Sequence, residues 1–288
     1  MRTILSIGVD AAAYGMVLFI ISIGLSIMMG LMRVVNLAHG AFAMIGGYIA
    51  SYVLQDYGLG YGVAIAVAVA GTIVLAYPLD LLLYRRIYRN SDELTQVLLT
   101  IGITFLIIGV ANYLLGPTSK TIPLPPSLSG PTDIGFRMVP THRIFVIICG
   151  VVTALALWFL IEKTEFGIRL RAAVDHNQMA DALGIRTEII YSATFALAVG
   201  LGAFGGVVGA EILPIEPFYA LRYMVTFLVV VSVGGAGSIG GALAASLLLG
   251  LADTTGKYLA PEFGEFFFYL AVILIVFLFP RGLFGRAY

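Results

Sequence analysis

The chain has 288 residues, of which 60% are hydrophobic and 11% charged, and its mean hydropathy is +1.02. Soluble domains contain about 25% charged residues, so this composition predicts a polytopic membrane protein. The formal net charge of zero gives no bulk basic surface for nucleic acid. The single cysteine, Cys149, excludes an intramolecular disulfide and a cysteine-based metal cluster.

Eight or nine hydrophobic elements follow one another along the chain, and they predict an all-α transmembrane helical bundle in one domain, residues 1–288. Five runs can cross about 30 Å of hydrocarbon: 11–32, 61–84, 94–115, 144–161 and 189–213. Shorter runs are interrupted or bounded by glycine, and we expect them to be tilted spans, halves of broken helices or re-entrant pieces: 37–54, 223–233, 239–251 and 266–279.

The orientation follows from Lys and Arg in the short loops. Placing four groups of basic residues in the cytoplasm leaves ten inside and six outside. The groups are Arg33 alone, then Arg85, Arg86 and Arg89, then Lys163, Arg169, Arg171 and Arg186, and finally Arg281 and Arg286. The proline-rich loop 116–143 is then periplasmic, and so is the N-terminus. If 37–54 or the helix before it does not fully cross, the N-terminus moves inside.

A polar segment, residues 162–188, interrupts the apolar sequence. It holds 9 of the 32 charged residues together with His176, and it cannot lie in lipid. Within it, 167–184 predicts one short amphipathic helix, with Arg171 and Asp175 paired at i,i+4 and Gly184 just past its end. We expect one apolar side made of Leu170, Val174 and Leu183, with Met179 near its edge. Such a helix either docks in a groove of a partner or rests on the lipid headgroups.

Two glycine-interrupted apolar stretches, 34–48 and 231–241, lie in opposite halves of the chain and indicate a pathway at a repeat interface. Polar groups at membrane depth face protein or water, so the first stretch predicts side chains that point into the bundle or a cavity: Asn36, His39 and Tyr48. Its glycines allow either close helix contact or a helix break: Gly40, Gly46 and Gly47. The second stretch supplies Gly234, Gly235, Gly237 and Ser238. The alternative to a pathway role is that Asn36 and His39 only hydrogen-bond at a helix end and contact no ligand. For His39 this alternative is favoured.

Enzyme signatures are missing from the sequence. There is no HExxH, no Gly-x-Ser-x-Gly around Ser238 because Ala236 replaces the first glycine, and no phosphate-binding loop, so we expect no catalysis, cofactor, metal or ATP on this chain. Asp80 is the only acidic residue clearly inside an apolar run, which disfavours a proton-relay carrier.

Four blocks in order carry a resemblance to a known family: GLMRVVNLAHGAFAMIGGYIA (30–50), GIRLRAAVDHNQMADALGI (167–185), VGGAGSIGGALAASLLLG (233–250) and FPRGLFGR (279–286). Together they resemble the permease subunits of bacterial branched-chain amino-acid ABC importers. The resemblance implies a multi-pass permease of the bacterial inner membrane that moves hydrophobic amino acids into the cytoplasm.

The same resemblance implies partners: a second homologous permease, two cytoplasmic ATPase subunits that bind ATP and Mg, a periplasmic substrate-binding protein, and membrane lipid. It also implies a coupling helix that contacts an ATPase, mapped here onto Arg169, Arg171, Asp175, Met179, Ala182, Leu183 and Gly184. The chain departs from the general importer pattern because the glutamate at the start of that loop is missing. Other cargo (urea, short amides or aromatic acids) and an ion-coupled carrier acting without an ATPase are the alternatives.

Overall fold

The computed structural model describes residues 2–85, 92–133, 135, 138–279 and 282–284. Across these ranges the predicted all-α class is confirmed, since the only strands there form one short hairpin in the proline-rich loop. Arg86, Arg89, Arg281 and Arg286, which were counted toward the orientation, lie outside the described residues. The elements are α1 (Arg2–Leu31), α2 (His39–Gln55), α3 (Tyr61–Leu79), α4 (Glu93–Leu115), α5 (Pro126–Ser129), β1 (Pro131–Asp133), β2 (Met138–Pro140), α6 (Thr141–Lys163), α7 (Glu165–Asp175), α8 (Asn177–Ala182), α9 (Thr187–Val208), α10 (Tyr219–Gly234), α11 (Ile239–Leu259) and α12 (Gly264–Leu278).

Six helices among the described residues are long and apolar enough to cross a membrane: Leu5–Leu31, Tyr61–Leu82, Glu93–Leu115, Thr141–Lys163, Thr187–Val208 and Ile239–Leu259. α2, with 17 residues, lies at the lower limit for a span, and two apolar helices are shorter still, Tyr219–Gly234 and Phe266–Leu278. The polytopic helical bundle predicted from hydropathy is therefore confirmed, with short helices among the full spans.

Helix ends differ from the sequence-derived runs at two glycines. The run 189–213 ends as a helix at Val208, where Gly209 caps it. The run 239–251 continues as helix to Leu259. Gly250 is not a helix stop, because it packs against α1: a Cβ at Gly250 would lie 2.8 Å from the carbonyl oxygen of Ala11.

The bundle has two ends, which different loops mark. α6 has 23 residues, or about 34 Å at 1.5 Å per residue, so its two termini lie at opposite ends. The proline-rich loop precedes it at what we call the loop end, and the polar segment follows it at the polar end. Asp10 of α1 forms an ion pair with Arg143 at the loop end, while Leu31 shares a cavity with Ile161 at the polar end. Consequently α1 runs from the loop end to the polar end.

α1 lies at the centre of the bundle. Its side chains from Val17 to Ile21 are all fully buried, and α6, α9, α10 and α11 pack around it. Small residues bring the backbones together: a Cβ at Gly15 would lie 2.9 Å from the carbonyl oxygen of Ser246 in α11. Within a membrane such close packing supplies much of the stabilisation between helices.

The two halves of the chain repeat one arrangement in opposite directions. In the first, α1 ends at the polar end, residues 32–38 are non-helical, and α2 runs toward the loop end. In the second, α9 ends toward the loop end, residues 209–218 are non-helical, and α10 runs to the polar end. We call 32–38 the first connector and 209–218 the second connector. The starts of α2 and α10 are in contact, since a Cβ at Gly40 would lie 3.2 Å from the Cα of Ala220. This is inverted topology, which many transporters share.

Candidate functional site

The first connector returns from the end of α1 into the bundle. Nε2 of His39, the first residue of α2, lies 2.9 Å from the carbonyl oxygen of Ile21. Ile21 precedes the end of α1 by ten residues, which is about 15 Å along the helix. α2 therefore begins inside the protein, and the non-helical backbone before it is surrounded by other helices, as membrane proteins require.

Asn36 is fully buried and holds this connector. Its Oδ1 accepts hydrogen bonds from the backbone N–H of Ala38 at 3.0 Å and from the hydroxyl of Tyr84 at 2.7 Å, and its Nδ2 donates to Sδ of Met28 at 3.4 Å. Tyr84 ends a π-helical turn, Asp80–Tyr84, that follows the third helix. The amide oxygen of Asn36 can only accept, so the Tyr84 hydroxyl is the donor in this hydrogen bond.

The backbone of the connector is satisfied by side chains of α4. The N–H of Val35 donates to Oε1 of Gln96 at 2.9 Å, and the N–H of Leu37 donates to Oγ1 of Thr100 at 3.2 Å. Sequence reasoning missed Tyr84, Gln96 and Thr100 as residues of the site. A signal for the last two exists, because Gln96, Thr100 and Thr104 recur at intervals of four and so share one face of an otherwise apolar helix.

His39 fills a slot between α1 and α9. A Cβ at Gly24 would lie 2.7 Å from its Cε1, and one at Gly202 would lie 3.2 Å from it. The imidazole thus packs between two helices and hydrogen-bonds to the middle of α1. Among the residues that the model describes, no group of three His, Cys, Asp or Glu side chains could hold a metal ion.

The glycines of α2 make helix contacts and do not break the helix, which is continuous from its first residue to its last. A Cβ at Gly46 would lie 2.6 Å from the Cα of Ala203, and one at Gly47 would lie 2.5 Å from the side chain of Ile215. Gly40, as noted, contacts the start of α10. Tyr48 is buried on the same helix and has a hydroxyl without a hydrogen-bond partner. The break in the stretch 34–48 lies in the connector before α2.

The second glycine stretch forms the tight turn between α10 and α11. Gly235 and Gly237 have φ of +90° and +81°, which favour glycine, and Oγ of Ser238 caps α11 by accepting from the N–H of Gly241 at 3.0 Å. Gly234 is tightly packed against Gly241, where a Cβ would meet its carbonyl carbon at 2.6 Å.

This turn contacts α1, but on another face than Asn36 does. The N–H of Gly237 donates to the carbonyl oxygen of Ser26 at 3.1 Å and lies 3.0 Å from the Ser26 hydroxyl oxygen. Asn36 contacts Met28, two positions further along, which is about 200° around the helix. The two glycine stretches therefore adjoin the same end of α1 without forming one site.

In the polar segment, the single helix predicted over 167–184 is wrong. Two helices, α7 and α8, are separated at His176, whose φ of −146° and ψ of 82° are extended. The run Asp175, His176, Asn177 explains the break, because all three residues have low helix propensity. Gly184, just past the second helix, has φ of +84°, the conformation of a helix-terminating glycine.

The ion pairs and the apolar side of this segment also differ from the prediction. Arg171 approaches Glu162, not Asp175, at 3.9 Å, and its Nη1 donates to the carbonyl oxygen of Ile161 at 2.7 Å. Arg169 pairs with Glu165 at 2.7 Å. Leu170 is fully buried, whereas Met179 is 62% and Leu183 75% exposed. Asp175, Ala182 and Gly184 are also exposed. One side of α8 and its end, with Met179, Ala182 and Leu183, therefore faces away from the bundle, while Ala180 is buried.

Hydrogen bonds join the polar segment to two long helices. Arg171 ties α7 to the end of α6, as described, and the hydroxyl of Tyr191 in α9 donates to the carbonyl oxygen of Ala173 at 2.9 Å. Thr187 donates through its hydroxyl to Asp181 at 2.8 Å. α7 and α8 are therefore fixed to the first turns of α9 as well as to α6.

Asp80 stands close to this junction. It is 1% exposed, accepts a short hydrogen bond from Ser192 of α9, and lies 3.7 Å from Nε of Arg85. Arg85 also approaches Glu188 at 3.9 Å. This cluster ties the π-helical turn after α3 to the start of α9, and Asp80 is therefore placed in a structural contact at the polar end.

The sequence model of the branched-chain amino acid transport system permease component matches residues 8–277. The chain belongs to this family. It is 28% identical over 284 residues to the high-affinity branched-chain amino acid transport system permease protein LivH of Escherichia coli strain K12, covering 93% of this chain and 91% of that protein. The permease protein BraD of Pseudomonas aeruginosa, named for the same transport system, is 25% identical over 96% of this chain and 94% of its own length.

A shorter match reaches a protein with a different cargo. The nucleoside ABC transporter permease protein NupC of Lactococcus lactis subsp. cremoris is 40% identical over 60 residues, which is 21% of this chain and 18% of that protein. No solved structure matches the chain. Family membership and the apolar spans together make this a multi-pass protein of the bacterial inner membrane and a subunit of the ABC permease class.

Proposed function

We propose that the chain is the membrane permease of an ATP-driven importer of branched-chain and other hydrophobic amino acids. The named cargo of LivH and BraD, each matched over more than nine tenths of its length, supports this choice. In this proposal the polar end faces the cytoplasm, and the chain itself performs no catalysis and binds no cofactor. ATP and Mg bind to two separate ATPase subunits, a second homologous permease completes the pathway, and a periplasmic protein delivers the amino acid.

The exposed apolar side chains of α8 carry the proposal of ATPase contact. Met179 and Leu183 project from the most polar part of the chain, whose charged residues keep it out of the hydrocarbon core. Two exposed apolar side chains on a short helix suit docking in a hydrophobic groove of a partner. Ala182 and Gly184 add small exposed positions that let the partner backbone approach.

The anchoring of α7 gives this contact a route into the membrane. Arg171 fixes the segment to α6, and Tyr191 fixes it to α9. A displacement of α7 and α8 by a closing ATPase therefore moves the polar ends of both helices. Since α9 also packs against α2, the movement reaches the first connector, where Asn36, and beside it His39, would line or shape the path. Arg169 and Asp175, both exposed, are placed on the ATPase-facing surface.

The binding protein supplies selectivity in this scheme, so the permease needs alternating access more than a tight site. Other solutes carried by the same machinery, such as urea, short amides or aromatic acids, are the second candidate. The local match to a nucleoside permease supports this second candidate, because 60 residues of this chain resemble a permease that is named for another solute.

Co-purification tests the ATPase contact. Replacing both exposed side chains, Met179→Ser with Leu183→Ser, should weaken ATPase binding by about thirtyfold or more and reduce recovery of the two ATPase subunits with the detergent-solubilised permease accordingly, since buried apolar anchors at an interface contribute about 1–3 kcal/mol each. Leu259→Ser is the matched control, because Leu259 is 72% exposed at the opposite end. Unchanged ATPase recovery with the double variant would refute docking at α8.

A further inference from the structure

A cavity of about 640 Å³ lies at the loop end, between Asp10 and Tyr14 of α1, the first turns of α6, α10 and α12, and the last turns of α11. This volume is typical of small-molecule pockets. Part of its wall is the second connector, through Leu213 and Pro214. In the proposed orientation the cavity faces the periplasm, from which an imported solute arrives.

Charged groups of both signs line the cavity, and the carboxylates are more buried than the cations. Two carboxylates are set into the wall, with side-chain exposures of 10% for Asp10 and 8% for Asp253. Three cations project further, with exposures of 34% for Arg143, 54% for Lys257 and 60% for Arg222. All five side chains are among its lining residues.

Each of these charges has a partner within the protein. Arg143 pairs with Asp10, whose Oδ2 also accepts from the hydroxyl of Tyr258 at 2.9 Å. Nζ of Lys257 is 2.6 Å from Asp253, and Arg222 pairs with Glu216, outside the cavity, at 2.8 Å. A solute that carries one ammonium and one carboxylate can share a carboxylate and a cation of the cavity at once, whereas a solute with a single charge makes only one of these two charge-assisted contacts.

The rest of the wall is apolar or aromatic. Tyr14, Leu213, Tyr223 and Phe268 line it beside the charges. Lys257 lies over the ring of Tyr14 at 5.4 Å, and Arg222 lies over the ring of Tyr223 at 5.6 Å. An apolar side chain of the solute would therefore find surface next to the groups that hold its charged ends.

We propose that this cavity is an entry site that binds the free amino acid as a zwitterion, with its ammonium at Asp10 and Asp253, its carboxylate at Lys257 and Arg222, and its side chain on the aromatic wall. The inference rests on the proposed import of hydrophobic amino acids. It adds a solute site within one permease chain. Bound solute contacts the second connector and the start of α10, which belong to the second of the two inverted halves.

Protection from labelling tests the site in the complete reconstituted complex. A Cys149→Ser background carries Thr226→Cys, whose position lines the cavity, and the rate of modification by a hydrophilic maleimide is measured in nanodiscs. Millimolar leucine should slow the reaction about fivefold or more, whereas leucine amide and 4-methylpentanoate, which each lack one charge, should slow it less than about twofold, since a charged hydrogen bond contributes about tenfold or more in affinity. A Ser127→Cys control, exposed in the proline-rich loop, should label at one rate throughout.

Charge variants then test the residues. Asp253→Asn, and independently Asp10→Asn, should raise the leucine concentration for half-protection by about tenfold. Glu262→Gln removes an exposed carboxylate at the same end, outside the cavity lining, and should leave that concentration unchanged. Co-purification of the ATPases serves as the check that each variant is folded.

Several results would overturn the inference. Equal protection by all three solutes would mean that the zwitterion is not recognised. Protection by the substrate-free binding protein, with none by leucine, would make the cavity a protein-docking surface. If the wild-type complex imports leucine but leucine gives no protection, the proposed entry site is wrong, whereas the proposed import function is retained. If the wild-type complex does not import leucine, both fall.

Discussion

Single polar side chains determine how a non-helical segment is held inside this membrane protein. Asn36 was predictable as an inward-facing residue, because an amide in an apolar run at membrane depth needs a protein partner. Its partner Tyr84 was not, since 48 residues separate the two and only tertiary structure brings them together. The same limit applied to Gln96 and Thr100, although their four-residue spacing marked a polar face.

Replacing Asn36 by leucine should destabilise the protein. The change Asn36→Leu leaves the N–H of Ala38 and the hydroxyl of Tyr84 buried without an acceptor, at a cost of about 1–3 kcal/mol each. Tyr84→Phe removes one donor and leaves the amide its bonds with Ala38 and Met28, so the loss of stability should be smaller. Thermal unfolding in detergent measures both. Equal melting temperatures for Asn36→Leu and the wild type would show that these hydrogen bonds contribute nothing.

Replacing Gln96 by leucine should loosen the first connector locally. Gln96→Leu removes the acceptor of the Val35 N–H, and an amide without its partner opens to solvent more often. Hydrogen exchange followed by mass spectrometry should show faster exchange in a peptide covering 32–38, with unchanged exchange in a peptide from α11. Slow exchange of the connector in the variant would contradict the assigned hydrogen bond.

At the scale of helices, hydropathy located the spans well and their interruptions poorly. The sequence located all five long helices, because apolar length is set by the bilayer, although α1 begins nine residues before the predicted run 11–32. It did not separate glycines that end helices from glycines that pack them, since both appear as the same residue in an apolar run. Gly250 and Gly46 are packing glycines, whereas Gly209 caps α9. The break at His176 was likewise hidden within a segment of helical periodicity.

A matched pair of glycine substitutions tests this distinction. Gly206→Ala places a Cβ 2.0 Å from the carbonyl oxygen of Ala43, at the contact of α9 with α2, and should destabilise by about 1–3 kcal/mol through overpacking. At Gly102 a Cβ meets nothing within 4 Å, so Gly102→Ala should be neutral or stabilise by up to about 1 kcal/mol. Thermal unfolding of the two variants gives the comparison. Similar melting temperatures would mean that α2 and α9 are not packed as described.

For the whole molecule, the sequence indicated paired interruptions in opposite halves but not their geometry. The first interruption is the connector 32–38, close to where it was expected. The second is the connector 209–218, whereas the predicted stretch 231–241 is an ordinary turn between two helices. The halves are too divergent to align by eye, so their inverted topology emerges only when the directions of α1, α2, α9 and α10 are compared. The polar segment lies outside both connectors and is hydrogen-bonded to α6 and α9.

Uptake of labelled leucine into proteoliposomes tests the central claim, import driven by ATP through this chain, most directly. Vesicles containing this chain, the second permease and the ATPases, supplied with the binding protein, should accumulate leucine when ATP is present on the ATPase side, and should stop when the ATPases are omitted. Leucine accumulation driven by an ion gradient, in vesicles that contain this chain and no ATPase, would contradict the account.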